Sequence, residues 1–145
     1  MYTIEEFDKE KTKVMNYIMY KKRTEYEVKN KFKNTIQNDM LCDIIAYVKD
    51  AGYLDDTDYI DRTVREYMVL KDISIKEIQY KLLNKGINKD KIKDYFYNNR
   101  EELEEYEIKS ATNLVQKKQR TMEKEDIKRY LLKKGYNNKI IKEVF

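Results

Sequence analysis

The amino-acid sequence predicts an all-α protein. Proline is absent and glycine occurs only three times in 145 residues, so few residues are available to break a helix or to supply the turns of a β-sheet. Apolar residues recur at helical spacing between the glycines, and hydroxyl residues stand where these apolar patterns start. No strand is needed to account for the sequence.

Three of the predicted helices begin at a capping box, in which a hydroxyl residue is followed three positions later by glutamate. The pairs are Thr3 with Glu6, Thr24 with Glu27, and Ser74 with Glu77. In this arrangement the hydroxyl oxygen and the carboxylate each accept a backbone N–H, so two donors at the helix start are satisfied.

Each glycine follows directly on an apolar helical pattern. Gly52, Gly86 and Gly135 are therefore expected at helix ends in the left-handed conformation, which glycine adopts without steric cost. These signals predict nine helices, over residues 4–21, 25–37, 39–51, 56–71, 75–85, 89–99, 101–120, 123–134 and 138–145.

The composition is that of a small, highly charged protein with a modest core. Charged residues make up 40% of the chain and the mean hydropathy is -0.94, values that bring disorder into consideration. Fourteen tyrosines and four phenylalanines argue against disorder because disordered chains are poor in aromatic residues. The net charge of +4 and the pI near 8.9 are compatible with a polyanionic partner, but solvated helical proteins often share this balance.

Several kinds of chemistry are excluded by the residues that are missing. Histidine is absent, which excludes imidazole general bases and imidazole metal ligands. The glycines are isolated, so no glycine-rich phosphate loop exists. The single cysteine, Cys42, cannot form an intrachain disulfide or a thiolate cluster, and we expect it to pack as a small apolar residue. We predict no catalytic residue, no metal site and no cofactor.

The sequence carries no membrane signal. The segment Met1 to Glu6 lacks a basic region followed by an apolar stretch, and no apolar run approaches the roughly 20 residues that span a bilayer. Together with the lone cysteine, which fits a reducing compartment, this predicts a cytoplasmic protein with no membrane partner.

The apolar pattern repeats with a period close to 50 residues. Val28 is equivalent to Ile78 and Ile127. Phe32 is equivalent to Leu82 and Leu131. Such a period is typical of stacked helical units in which each unit covers apolar surface of its neighbour. We therefore predict tandem three-helix repeats that form an elongated, curved helical array.

The register continues beyond these positions. Cys42 aligns with Ile92 and Ile141, whereas Ile36 stands where the second repeat has Gly86. The predicted units are a first repeat with its N-terminal and linking helices, a second repeat, and a third, C-terminal repeat, over residues 1–72, 73–120 and 121–145.

The segment Gly52-Tyr53-Leu54-Asp55-Asp56 resembles the glycine-tyrosine-leucine-aspartate-aspartate signature of the RecX family, and the five-residue match is complete. Shorter similarities follow the same order along the chain. They are Tyr59-Ile60, Lys21-Lys22-Arg23-Thr24, Lys85-Gly86-Ile87, Ala111 with Leu114, Lys117 and Lys118, and Tyr130-Leu131 with Lys134-Gly135-Tyr136. The resemblance extends from about residue 14 to residue 145.

The resemblance implies a non-enzymatic regulator built from three-helix repeats. It also implies binding in the groove of RecA filaments on DNA, with inhibition of RecA-dependent ATP hydrolysis and strand exchange. It therefore implies the RecA filament as partner, with single-stranded or filament-bound DNA as a possible further contact, and we expect a monomer. The alternatives are a helical protein-interaction scaffold without DNA contact and a nucleic-acid-binding protein without sequence preference.

The paired carboxylates of the signature are interpreted as structural. Asp55 and Asp56 directly precede a helical pattern, where a carboxylate accepts unpaired backbone N–H groups and is favoured by the helix dipole. Tyr53 and Leu54 are expected to pack under the same turn. The alternative, a two-carboxylate active site, is less consistent with this position.

Positive charge is concentrated in the C-terminal half. The net charge is −2 over residues 1–72 and +3 over each of 73–120 and 121–145. On the seventh predicted helix Asn113 and Gln116 share a face with basic residues, and basic rows continue on the eighth. A solvated face would have the same pattern. The candidates for contact with the filament or DNA are Lys21, Lys22, Arg23, Arg62, Arg65, Lys109, Lys117, Lys118, Arg120, Lys124, Lys128, Arg129 and Lys133.

Overall fold

The computed structural model describes residues 1–145 and contains nine α-helices and no strand, which confirms the all-α prediction. None of the helices is both long enough and apolar enough to cross a membrane. In chain order the helices are α1 (Ile4–Tyr20), α2 (Glu25–Phe32), α3 (Asn38–Asp50), α4 (Asp56–Leu70), α5 (Ile75–Asn84), α6 (Lys89–Asn98), α7 (Arg100–Lys118), α8 (Lys124–Lys134) and α9 (Asn138–Val144).

The chain divides into two compact units. The first comprises Met1–Tyr59 and the short segment Lys85–Asn88. In it α1 packs against α2 and α3, and α2 packs against α3. Its core consists of buried apolar side chains from these helices and from the loops that join them: Val14, Ile18, Val28, Phe32, Ile36, Met40, Leu41, Ile44, Ile45, Val48 and Leu54.

The second unit comprises Ile60–Asn84 and Lys89–Phe145. Here α7 is the central element, because it packs against α6, α8 and α9, while α5 packs against α6. One core cluster joins α7, α8 and α9 and consists of Ala111, Val115, Ile127, Leu131, Tyr136, Ile140 and Ile141.

The stretch from the start of α2 to the start of α3 is one residue shorter than the corresponding stretch from α5 to α6. α2 and α5 begin 50 residues apart, but α3 and α6 begin 51 residues apart. α2 ends at Phe32 rather than at the predicted residue 37, and Ile36 donates its N–H to the Phe32 carbonyl at 2.9 Å. Ile36 is buried, as Ile87 is, and no left-handed residue is needed there. The first repeat therefore makes this turn without a glycine.

This one-residue difference corrects the predicted alignment from α3 onward. The structural equivalent of the buried Ile92 is Leu41, which is also buried, and not Cys42. Cys42 is exposed, so the expectation that it packs as an apolar residue is wrong. The one-residue shift moves the side chain off the buried face of α3.

The first turns of α2 and α5 are held in the same way. The Thr24 hydroxyl accepts the N–H of Glu27 at 3.1 Å and donates to the Lys85 carbonyl at 2.7 Å. The Ser74 hydroxyl makes the same pair of bonds at the start of α5, and its acceptor at 2.7 Å is the Lys134 carbonyl. Both hydroxyls are fully buried, and both predicted caps are confirmed.

Two glycines lie immediately after these accepting carbonyls. Gly86 has φ of +78°, and a Cβ added to it would overlap the Tyr26 side chain. Gly135 has φ of +103°, and an added Cβ would lie 2.6 Å from the Ser74 hydroxyl oxygen. At both positions glycine is required for the left-handed backbone and for the close approach.

The signature segment uses its two carboxylates at two different helices. Asp55 caps α4, since its Oδ1 accepts the N–H groups of Thr57 at 3.0 Å and Asp58 at 3.2 Å. Asp56 is buried, and its Oδ1 accepts the N–H of Glu25, the first residue of α2, at 3.0 Å. The structural interpretation of the pair is confirmed, and only one of the two is the cap.

Leu54 and Tyr53 of the signature segment differ in burial. Leu54 is buried in the core of the first unit, as expected. Tyr53 is exposed, so the expectation that it packs under the turn is wrong.

A buried polar network on α7 holds the linker between α4 and α5. The Tyr106 hydroxyl accepts the N–H of Ile73 and donates to the Lys71 carbonyl, and Glu107 accepts the N–H of Ile75 at 2.8 Å. Ile75 is the first residue of α5, so Glu107 serves α5 as Asp56 serves α2. Burial raises the pKa of the Glu107 carboxyl above its ordinary value of 4.5.

Replacement of Gly86 by alanine should cost more stability than the same change at Gly52. Both residues have positive φ, which costs an alanine about 1–2 kcal/mol, but only at Gly86 does the new Cβ overlap another side chain. Urea unfolding of G86A and G52A measures the difference. Equal losses in the two variants would contradict the close approach.

Removal of the Asp55 carboxylate should destabilise the protein by about 0.5–2 kcal/mol, because two N–H groups of α4 lose their acceptor. Asp56→Ala should cost about 1–3 kcal/mol, since it leaves the N–H of Glu25 without its partner. Chemical unfolding measures both values. Unchanged stability in both variants would be inconsistent with a capping role.

Glu107→Gln should change how stability depends on pH. The folded-state pKa of Glu107 is raised. The stability that this shift contributes is therefore complete below pH 4.5 and is lost as pH rises through the raised value. The glutamine carbonyl can still accept the N–H of Ile75. The unfolding free energy of E107Q relative to wild type should therefore increase with pH above 4.5. Glu105→Gln, at an exposed position of α7, should show no such trend.

Candidate interaction surface

α7 buries one face and exposes the other. Ala111 and Val115 are buried in the cluster shared with α8 and α9, whereas Lys109, Lys117 and Arg120, the last just beyond the helix, are exposed. Lys109 and Arg120 make no ion pair, so their charges are available to a partner. The exposed side of α7 therefore presents cations on a well-packed helix.

Part of the predicted basic face forms a shallow polar pocket. Asn113, Gln116, Lys117 and Arg120 line it, as their helical spacing predicted, and Asp72 is also part of its wall. The Asn113 amide donates to Asp72 Oδ1 at 3.0 Å, and the Lys117 Nζ lies 3.8 Å from Asp72 Oδ2. Sequence reasoning missed Asp72 because it lies in the linker before α5, and no local pattern connects it with α7.

Several cations near α8 lie over aromatic rings. The Nζ of Lys118 is 4.8 Å from the centre of the Tyr130 ring. The Nζ atoms of Lys124 and Lys128 are 5.8 Å and 5.6 Å from the centre of the Phe145 ring. These lysines thus already have aromatic partners within the chain. At exposed positions each cation–π contact contributes about 0.5–1 kcal/mol.

Other α8 cations pair with acids one turn away. Arg129 contacts Asp126 at 3.0 Å, and Lys128 contacts Glu125 at 3.6 Å. Such exposed pairs contribute little to stability and are easily exchanged for a stronger partner. Lys133 is exposed and makes no ion pair. The predicted basic rows of α8 are therefore interrupted by acidic residues.

The three basic residues before α2 lie in the first unit and have different environments. The Arg23 guanidinium lies 3.8 Å from the centre of the Tyr17 ring, and its Nε donates to the Tyr17 carbonyl at 3.3 Å. Lys22 forms an ion pair with Asp58. Lys21 is exposed and makes no ion pair. Arg23 therefore supports the end of α1, and Lys21 is the most accessible of the three.

On α4 the two candidate arginines are both exposed. Arg65 lies 3.0 Å from Asp61 and 3.4 Å from Glu102. Asp61 also accepts the Tyr95 hydroxyl at 2.8 Å, and burial together with this hydrogen bond raises the pKa of Tyr95. Arg65 thus belongs to an intramolecular network on the exposed side of α4.

Comparison with known proteins gives a consistent result. No family model matches the chain. A 136-residue stretch is 33% identical to "Regulatory protein RecX" of Clostridium botulinum, strain Eklund 17B / Type B, and covers 84% of this chain and 60% of that protein. A 144-residue stretch is 29% identical to "Regulatory protein RecX" of Streptococcus mutans serotype c and covers 93% and 54%.

Two solved structures have the same fold. The crystal structure of RecX from Lactobacillus salivarius has a TM-score of 0.84 at 24% identity and covers 98% of this chain and 96% of that one. A crystal structure of regulatory protein RecX has a TM-score of 0.83 at 20% identity, with 95% and 70% coverage. At these identities the likeness establishes the fold.

The chain spans 60% and 54% of the length of the two curated relatives named above. The agreement nevertheless extends over most of this chain, in sequence and in fold. The chain belongs to the RecX family of regulatory proteins.

Proposed function

We propose that this protein regulates recombination by binding RecA filaments on DNA. The observation that carries the proposal is membership of the RecX family, whose curated relatives are named regulatory proteins. The resemblance implies that occupancy of the filament inhibits RecA-dependent ATP hydrolysis and strand exchange. In this proposal the protein acts in the cytoplasm as a monomer, and it is not an enzyme.

The exposed side of α7 is the best-supported contact surface for this role. Lys109, Lys117 and Arg120 project cations from a helix whose opposite face is fixed in a core cluster. A rigid helix presents its charges without a large entropic cost of ordering, which favours binding to a regular polyanion such as a DNA backbone. α8 contributes further exposed charge through Lys133 and Arg129.

Binding to three preparations distinguishes the proposal from its alternatives. A filament regulator should bind RecA filaments on single-stranded DNA more tightly than it binds free RecA or bare DNA. A nucleic-acid-binding protein without sequence preference should bind the bare strand equally well. A scaffold with another partner should bind none of the three, and that result would reject the proposal.

Neutralising the α7 cations with K117Q/R120Q should weaken filament binding and flatten its salt dependence. Each phosphate contact that is lost should lower the slope of log affinity against log salt by about 0.7 for single-stranded DNA. The charge-matched control K89Q/K93Q removes two exposed lysines from α6 in the same unit. Binding is measured across a salt series, with inhibition of ATP hydrolysis as a second readout.

The double variant should keep the helical signal and the stability of wild type, because exposed charges contribute little to folding. If K117Q/R120Q and K89Q/K93Q behave alike, α7 is a solvated face. The contact surface would then be sought at the other candidates, Lys21, Lys22, Arg23, Arg62 and Arg65.

A further inference from the structure

Asp72 is the one acidic side chain in the polar pocket on α7. It shares the pocket with two amides and two cations, and the Asn113 amide and Lys117 approach its two carboxylate oxygens. The Asp72 side chain is 27% exposed, whereas that of Lys117 is 70% exposed. The carboxylate therefore lies deeper in the pocket than the cation it pairs with.

The backbone around Asp72 is fixed independently of its side chain. The Tyr106 hydroxyl binds the Lys71 carbonyl and the Ile73 N–H on either side, and Ser110 donates to the Ile73 carbonyl at 3.3 Å. The carboxylate is consequently held against α7 by the linker, and the linker does not depend on the carboxylate for its own position.

The remaining groups of the pocket form a donor set suited to a phosphate. Ammonium, guanidinium and amide N–H groups bind phosphate oxygens, and a guanidinium can do so through two parallel hydrogen bonds. In this structure the Asp72 carboxylate engages two of these donors, Asn113 and Lys117. Gln116 and Arg120 make no hydrogen bond or ion pair with it.

We propose that this pocket binds a backbone phosphate of DNA and that Asp72 is a built-in competitor that weakens this binding. The inference rests on the proposed function, because it takes the DNA of the RecA filament as the source of the phosphate. A competitor of this kind keeps the protein from being retained on any polyanion, so that binding depends on the additional contacts that a filament provides.

The expected effect follows from the distance involved. A unit charge about 4 Å from a ligand charge in water changes its affinity about fivefold at low salt. The Asp72–Lys117 pair is exposed on the lysine side, so its loss should change stability little. Removal of the Asp72 charge should thus strengthen anion binding without loosening the fold.

Asp72→Asn tests this directly, with Asp94→Asn, an exposed acid on α6 of the same unit, as the control for net charge. The probes are a labelled single-stranded oligothymidylate and RecA filaments assembled on it, both at low salt. D72N should bind the oligothymidylate about fivefold more tightly than wild type. D94N should change its affinity much less. In the K117Q/R120Q background the gain from D72N should disappear.

Each outcome has one meaning. If D72N and D94N have the same affinity as each other for filaments and for oligothymidylate, the competitor role is wrong and the proposed function stands. If D72N gains affinity for filaments but not for oligothymidylate, the anion in the pocket belongs to a protein, and the phosphate assignment is overturned. If wild type does not bind filaments, the proposed function is rejected and this inference with it.

Discussion

The hydroxyl that caps the first helix of a repeat is the group on which the rest of the structure depends. Thr24 and Ser74 are fully buried, and each both accepts an N–H from its own helix and donates to a carbonyl about 60 residues later in the chain. Loss of either partner would leave a buried hydroxyl unsatisfied and lower the stability of the fold. Each of these positions therefore requires a hydroxyl residue that meets both partners. Because Lys85 and Lys134 supply the acceptors, the residues that follow them must turn within close contact of α2 and α5, and glycine satisfies this requirement.

A buried carboxylate completes each of these helix starts. Asp56 and Glu107 accept the first N–H of α2 and of α5, which the capping hydroxyl does not reach. The two carboxylates are 51 residues apart, the spacing that also separates the starts of α3 and α6. Burial raises the pKa of Glu107. The first N–H of α2 is thus accepted by an aspartate at the start of α4, and the first N–H of α5 by a glutamate within α7.

The sequence was sufficient for interactions that are local and insufficient for those that join distant segments. The caps at Thr24 and Asp55 were predictable because a capping residue and the N–H groups it accepts lie within four positions. The Asp56 bond to the backbone of Glu25 spans 31 residues and leaves no pattern. The misplaced Cys42 has a similar cause, because a difference of one residue between the starts of α2 and α3 shifts the helical face but barely alters the apolar period. Asp72 was missed because only the folded linker brings it to α7.

Charge counts along the sequence overstate the cations that can meet a partner. Arg23 is stacked on Tyr17, Arg65 is shared between two acids, and Lys117 contacts Asp72 across a shared pocket. What distinguishes a docking cation from a structural one is therefore the competing partner that the fold supplies, and not the local density of lysine and arginine. An electrostatic surface of this kind acts over about 8 Å at physiological salt, so the fold controls affinity mainly by deciding which anions stand next to which cations.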